Sequence, residues 1–225
     1  MGQIIEFPCP NGSKAKGYLA PAAQSDAPGI VVIQEWWGLQ DQIKGLCDQF
    51  AAAGYHSLAP DLYGGKVVPY HDPAAAGAAM SSLDFTNATD QGVRGAVQHL
   101  ARNGKKVGLT GFCMGGAVTT IGAVRIPELA AAVTFYGIAP DAEQNASALR
   151  VPLQGHFALH DDWITPAMVK SYDAALTKAG KEHEFFEYDA KHGFMNEQRP
   201  EVFDAEAKQL AWSRCMAFFG KYLKA

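Results

Sequence analysis

Thr110-Gly111-Phe112-Cys113-Met114-Gly115-Gly116 is the stretch whose reading decides the fold. The apolar run that precedes it, Lys106-Val107-Gly108-Leu109, reads as a short buried strand. The run that follows, Ala117-Val118-Thr119-Thr120-Ile121-Gly122-Ala123, reads as a packed helix. A strand that turns sharply into a helix brings two backbones close together, so the residues two before and two after the turn must be small. Gly111 and Gly115 meet that demand and Cys113 stands between them. At a helix N-terminus the unpaired N–H groups and the helix dipole favour a thiolate. Cys113 is therefore a candidate nucleophile. A lone cysteine among glycines is about as often a small buried residue, so the assignment turns on whether a histidine and an acid follow at matching places.

The chain around this stretch has 225 residues, of which 48% are hydrophobic. That is enough for a full core, and residues 1–225 read as one domain with no linker, internal repeat or low-complexity tract. A net charge of −4 without a run of Lys and Arg gives no reason to expect nucleic acid or a membrane surface as partner. The start, Met1-Gly2-Gln3-Ile4-Ile5-Glu6, has no basic segment leading into an apolar one, and no apolar stretch approaches membrane-spanning length, so a cytoplasmic protein is expected. Four cysteines in a chain this long do not read as a disulfide framework. Cys47 falls on the helical stripe Ile43, Leu46, Cys47, Phe50, Ala51, and Cys215 on the stripe Phe203, Ala207, Ala211, Cys215, Phe218, Tyr222; both are core positions. Cys9, between two prolines, reads as a loop or strand-edge residue.

Ile4–Phe7 and Lys16–Ala20 flank Pro10-Asn11-Gly12-Ser13, a turn cluster suited to a hairpin. Ile30–Ile33 is continuously apolar, as a strand covered on both faces must be. The helix carrying Cys47 follows, then a short strand within Gly54–Asp61. Residues 62–90 resemble a surface excursion, with a short helix over Ala74–Met80. Helix Asp90–Ala101, strand Lys106–Leu109, the helix from Met114, strand Ala131–Tyr136, strand Leu153–Leu159, helix Pro166–Ala179, strand Glu184–Tyr188 and a last helix from about Pro200 to Tyr222 complete the alternation. Pro166 and Pro200 fit first turns, where a missing N–H costs nothing. The fold class is α/β, a mostly parallel sheet with helices on both faces and an antiparallel N-terminal hairpin.

In an open α/β sheet the chemistry gathers beyond the carboxyl ends of the strands. Past Ile33 come Gln34, Glu35, Trp36 and Trp37; past Leu159 come His160, Asp161 and Asp162; past Tyr188 come Lys191 and His192. Nucleophile, acid and histidine thus follow one another along the chain, each just past a strand, in the order an α/β-hydrolase uses. His156 and His160 have the i, i+4 spacing of a zinc pair, but on a strand that separation is about 13 Å. Gly111–Gly116 lacks the Lys-Ser/Thr ending of a phosphate loop. No cofactor or metal is implied.

The blocks Gln34-Glu35-Trp36-Trp37-Gly38, Ala59-Pro60-Asp61-Leu62-Tyr63, Gly108 to Gly116, Asp162 with Pro166, and His192-Gly193-Phe194 resemble the signature blocks of the dienelactone hydrolases, and they span nearly the whole chain. The resemblance implies a hydrolase of a small lactone or ester with Cys113 as nucleophile, His192 as base and Asp162 orienting it, chosen over Asp161 because the family places its aspartate four residues before a proline. It also implies backbone N–H groups of Trp36 and Met114 as the oxyanion hole, and a Glu35 that pairs with the thiol until substrate arrives. Two arginines that hold the substrate carboxylate in the family have no counterpart in place: Asn196 stands at one position, and no arginine lies between Lys66 and Arg94, although Arg199 or Lys66 could substitute. Trp37, Tyr63, Tyr136 and Phe194 could instead line an aromatic pocket for a less charged substrate. A monomer or small homo-oligomer acting on a small molecule is expected. The alternative is a non-hydrolytic protein of the same fold that uses Cys113 for redox sensing or ligand binding.

Overall fold

In the computed structural model, which describes residues 2–224, eight strands form one sheet in the order β1-β2-β4-β3-β5-β6-β7-β8. Met1 and Ala225, the ends of the expected 1–225 domain, lie outside the described residues. The strands are β1 (Gln3–Pro8), β2 (Lys14–Ala20), β3 (Gly29–Ile33), β4 (His56–Pro60), β5 (Val107–Phe112), β6 (Leu129–Phe135), β7 (Leu153–His160) and β8 (His183–Lys191). β1 pairs antiparallel with β2 and β2 antiparallel with β4; every pairing from β4 to β8 is parallel. The hairpin closes through Gly12, whose φ of 85° belongs to the left-handed region that glycine enters without strain. Cys9 lies in that turn, and it is buried there.

Among the described residues six α-helices lie between strands, α1 (Asp41–Ala52), α2 (Pro73–Ser81), α3 (Phe85–Ala88), α4 (Arg94–Leu100), α5 (Met114–Arg125) and α6 (Pro166–Lys178), and α7 (Ala205–Leu223) follows β8. Alternation along β3 sends Ile30 and Val32 to one face, with Ile43 and Phe50 of α1 and Cys215 and Phe219 of α7. Val31 and Ile33 go to the other face, with Val97 of α4 and Val118 of α5. All four strand residues are fully buried, each worth about 1.5–3 kcal/mol, so a charge at Val31 or Val32 would open one layer. α6 completes the second face through Val169, Tyr172 and Leu176 against Leu153 and Phe157 of β7.

Two expected helices change. The expected Asp90–Ala101 helix begins earlier, as α3, and passes through a wide π-helical turn at Thr89–Val93 before α4. The last helix starts at Ala205 rather than Pro200, because the Asp204 side chain accepts from the Ala207 N–H and fixes the N-cap there. Pro166 does occupy the first turn of α6, capped by Thr165. The expected helix at Ala74–Met80 is α2, which packs with Trp37 and Val68 in a small core of its own. No helix among the described residues is long and apolar enough to cross a membrane.

Candidate active site

β5 ends at Phe112, α5 begins at Met114, and Cys113 between them has φ 56° and ψ −118°. That conformation is strained for a side-chain-bearing residue and persists only where its surroundings impose it. Here the Cys113 N–H donates to the Phe135 carbonyl at 3.0 Å, and its own carbonyl accepts from Gly116 and Ala117 at 2.9 and 3.2 Å. The packing leaves no room for larger neighbours. A Cβ on Gly111 would lie 2.1 Å from the Gly115 carbonyl oxygen, and one on Gly115 2.5 Å from those of Ile33 and Gln34. The spacing of small residues read from the sequence is thus a steric requirement of the turn.

His192 lies just past β8, and its Nδ1 meets Oδ2 of Asp161 at 2.7 Å. A carboxylate can only accept there, so Nδ1 carries the proton and Nε2 is the nitrogen available to sulfur. Burial lowers the basicity of this imidazole, but the Cys113 charge, the hydrogen bonds to Asp161 and Cys113, and the Asp161 charge outweigh it and raise the pKa to about 10. The sulfur and the ring line the same cavity.

The acid differs from the expected one. Asp161, with a fully buried side chain, holds His192, whereas Asp162 is exposed to solvent. The cause is local. Oδ1 of Asp161 also accepts from the N–H groups of Trp163 and Ile164 at 2.8 and 2.9 Å, forming a turn that points Asp161 inward and Asp162 outward. The spacing to Pro166 carries no information about which of two adjacent carboxylates faces in.

Glu35 follows β3 and is buried. The expected partnership with the thiol is replaced by two others: its carboxylate accepts from the Tyr136 hydroxyl at 3.1 Å and from Nδ2 of Asn196 at 2.8 Å. Burial pushes its pKa up, against Asn196, His192, Tyr136 and Arg199, which pull it down. Asn196 thus occupies the place expected of an arginine by holding Glu35. Tyr136 is itself strained, with φ 38°, and its ring meets His192 edge-on at 5.0 Å.

A cavity of about 1120 Å³ opens over Cys113. Trp36, Trp37, Met114, Tyr136, Asp161 and His192 are among its walls, as are Met80 and Phe85 from the 62–90 excursion. Met114 is the first residue of α5, so its N–H has no intrahelical acceptor. Two expected pocket residues do not line the cavity. Phe194 is fully buried behind it, packed on Tyr136 and Tyr188 at 5.3 and 5.2 Å, and Tyr63 stands behind Met114, donating to its Sδ at 3.2 Å. Arg199 does reach the wall, its guanidinium 5.4 Å from the Trp37 ring centre and ion-paired with Glu201 at 2.8 Å. Leu159, Trp163, Ile164 and Met168 also line it; nothing in the strand-end reading singled them out, though Trp163 and Ile164 follow the acid directly.

The two spaced histidines serve separate ends. Burial holds His156 down to about 3, between Tyr188 and Gln154, while His160 is exposed and bonded to Asp189. Among the described residues no group of three or more His, Cys, Asp or Glu is placed to hold a metal ion.

A cysteine on a strained strand-to-helix turn, with a carboxylate-bound histidine returned to it from two other strand ends of one mostly parallel sheet, defines an α/β-hydrolase. Comparison with known proteins gives the family. Residues 15–223 match the model of the Dienelactone hydrolase family, and the chain belongs to it. Protein usf of Aquifex pyrophilus is 36% identical over 235 residues, covering 99% of this chain and all of that one. A relative from Aquifex aeolicus named "Putative carboxymethylenebutenolidase" is 32% identical over the full length of both. A Klebsiella pneumoniae crystal structure described as a "Putative Dienelactone Hydrolase" superposes with a TM-score of 0.88 at 27% identity, covering 99% of this chain and 100% of that one. The protein is accordingly a hydrolase of the ester and lactone class.

Proposed function

We propose that this hydrolase cleaves a small lactone or ester through a Cys113-His192-Asp161 triad and a thioester intermediate. The observation that carries the reading is that an imidazole held on Nδ1 by a buried carboxylate lines the same cavity as the elbow sulfur. For attack the thiol proton passes to His192 and the sulfur acts as the thiolate. The thiolate adds to the substrate carbonyl, forming a C–S bond and an oxyanion. The oxyanion is met by the N–H of Met114 and, on the facing loop after β3, that of Trp36. Collapse breaks the C–O bond, and the leaving oxygen takes the proton from His192.

The next step follows from the same electrostatics. Once the sulfur is acylated its charge is gone, and with it a main cause of the raised His192 pKa. Burial then pulls the imidazole toward neutrality, which is the state a base needs. Neutral His192 takes a proton from water, the hydroxide equivalent adds to the thioester, and the thiolate leaves as the acid is released. Asp161 keeps the ring in the productive tautomer throughout.

The test is a panel of enol-lactones, simple lactones and aryl esters assayed with the wild type, Cys113→Ala and His192→Gln. Turnover by the wild type with a fall of at least about 10³-fold in both variants supports the triad. Turnover that survives in Cys113→Ala would remove the sulfur from the mechanism.

A further inference from the structure

Among the described residues only Ile4, Val67, Leu159, Trp163, Met168 and Leu210 are large hydrophobic side chains left exposed. Three of them, Leu159, Trp163 and Met168, border the cavity over Cys113. Such a concentration of exposed apolar surface at one mouth marks a binding face rather than the usual scatter. Trp163 is the most open, at 64%. Its ring meets Trp36 edge-on at 5.8 Å, and Trp36 meets Trp37 at 5.0 Å, so three indoles run in series along the wall.

The backbone of Trp163 is tied to the same atom group that serves the histidine. Oδ1 of Asp161 accepts from the Trp163 N–H while Oδ2 holds His192. The indole is thereby kept in register with the reacting centre. Charge on the walls does not favour an anion. Arg199 is paired with Glu201, His160 with Asp189 and His192 with Asp161, leaving Lys191 in a cavity that also contains the carboxyls of Glu35 and Asp162. At about 1120 Å³ the space suits a drug-sized molecule, and a single small lactone ring leaves most of it empty.

We infer that the substrate is an uncharged aryl ester or aryl-fused lactone, and that Trp163 is the specificity-determining residue, packing its exposed face on the substrate's aromatic ring. This rests on the hydrolase reading above. An aromatic ring set against an indole gains contact that a saturated ring of the same size does not.

Dihydrocoumarin, a benzo-fused six-membered lactone, and δ-valerolactone, the same ring without the benzene, separate this claim from the triad. The quantity read is the ratio of their kcat/KM values in the wild type, Trp163→Phe and Trp163→Ala. The expected result is an aryl-to-alkyl ratio about tenfold lower in Trp163→Ala, restored to within about threefold by Trp163→Phe. An unchanged ratio, or equal loss on both lactones, would overturn the assignment. Because Trp163 is mostly exposed, the variants fold, as an unchanged melting temperature would verify. If the wild type turns over neither lactone, the platform is decided by calorimetry instead. Dihydrocoumarin binding about tenfold tighter to Cys113→Ala than to Cys113→Ala/Trp163→Ala upholds the platform, and equal binding overturns it.

Discussion

Asp161→Asn separates the role of a charge from the role of a shape. The Asp161 carboxylate accepts from Trp163 N–H, Ile164 N–H and His192 Nδ1. An asparagine keeps one oxygen, which can continue to accept from the two backbone groups and preserve the turn. Its NH₂ then faces Nδ1, where only an acceptor fits, so the imidazole must place its proton on Nε2, the nitrogen that has to serve the sulfur. Loss of a hydrogen bond to a charged group costs about 1.5–3 kcal/mol, or roughly 10- to 100-fold, and the inverted tautomer adds to it. In serine triads the comparable change costs about 10⁴-fold; a thiol depends less on its base because it is the stronger nucleophile. The expected fall in kcat/KM is therefore about 10²–10³-fold, with a stability loss of about 1.5–3 kcal/mol from the same bond. Asp162→Asn, at an exposed position, should stay within about threefold. Steady-state hydrolysis of an aryl ester beside thermal melts measures both. A larger loss from Asp162→Asn than from Asp161→Asn would refute the assignment of the acid.

Gly111→Ala should cost about 3 kcal/mol or more, or prevent folding, since its Cβ would meet backbone rather than a movable side chain; a soluble, active variant with an unchanged melting curve would contradict the steric reading. His192, raised from 6.5 to about 10 in the folded chain, contributes stability that is fully present below pH 6.5 and is lost as pH rises toward 10. Chemical denaturation from pH 6 to 10 should show wild type losing more stability than His192→Gln over that window, and parallel curves would argue against the charged imidazole. His156, lowered to about 3 by burial, has the opposite sign: unfolding takes up its proton below pH 6.5, so acid should destabilise wild type more steeply than His156→Gln. At neutral pH iodoacetamide should label Cys113 first, because Cys9, Cys47 and Cys215 are buried and burial pushes the thiols of Cys47 up to about 12 and of Cys215 higher; a peptide map led by any other cysteine would contradict the assigned nucleophile.

The parts of this molecule that were legible in the sequence are those governed by periodicity and by backbone sterics. Apolar runs such as Ile30–Ile33 and the small residues around Cys113 state their surroundings directly, because a strand buried on both faces and a turn packed against carbonyls leave few alternatives. The strand-end rule brought Cys113, His192, Glu35 and the Asp161-Asp162 pair to one edge for the same reason. What it could not resolve was orientation over a single residue. Asp161 and Asp162 are chemically identical, and only the hydrogen bonds from Trp163 and Ile164 decide which one turns inward. Pro200 misplaced the start of the last helix because a proline allowed at a first turn does not create one; the Asp204 cap does. Phe194 and Tyr63 were expected on the wall because aromatic residues near a site are easily counted, but whether a ring faces a cavity or the core depends on contacts made across the sheet. Trp163 went unnoticed for the complementary reason, since one exposed tryptophan has no periodic partner.

The central claim is that an acyl group passes through the sulfur of Cys113. Rapid acid quench of enzyme with a slowly deacylating aryl ester, followed by peptide mass spectrometry, tests it most directly. The expected result is the acyl mass on the peptide carrying Cys113, labile to hydroxylamine and absent from Cys113→Ala. An acyl mass on a different residue, or undiminished turnover by Cys113→Ala, would contradict the account.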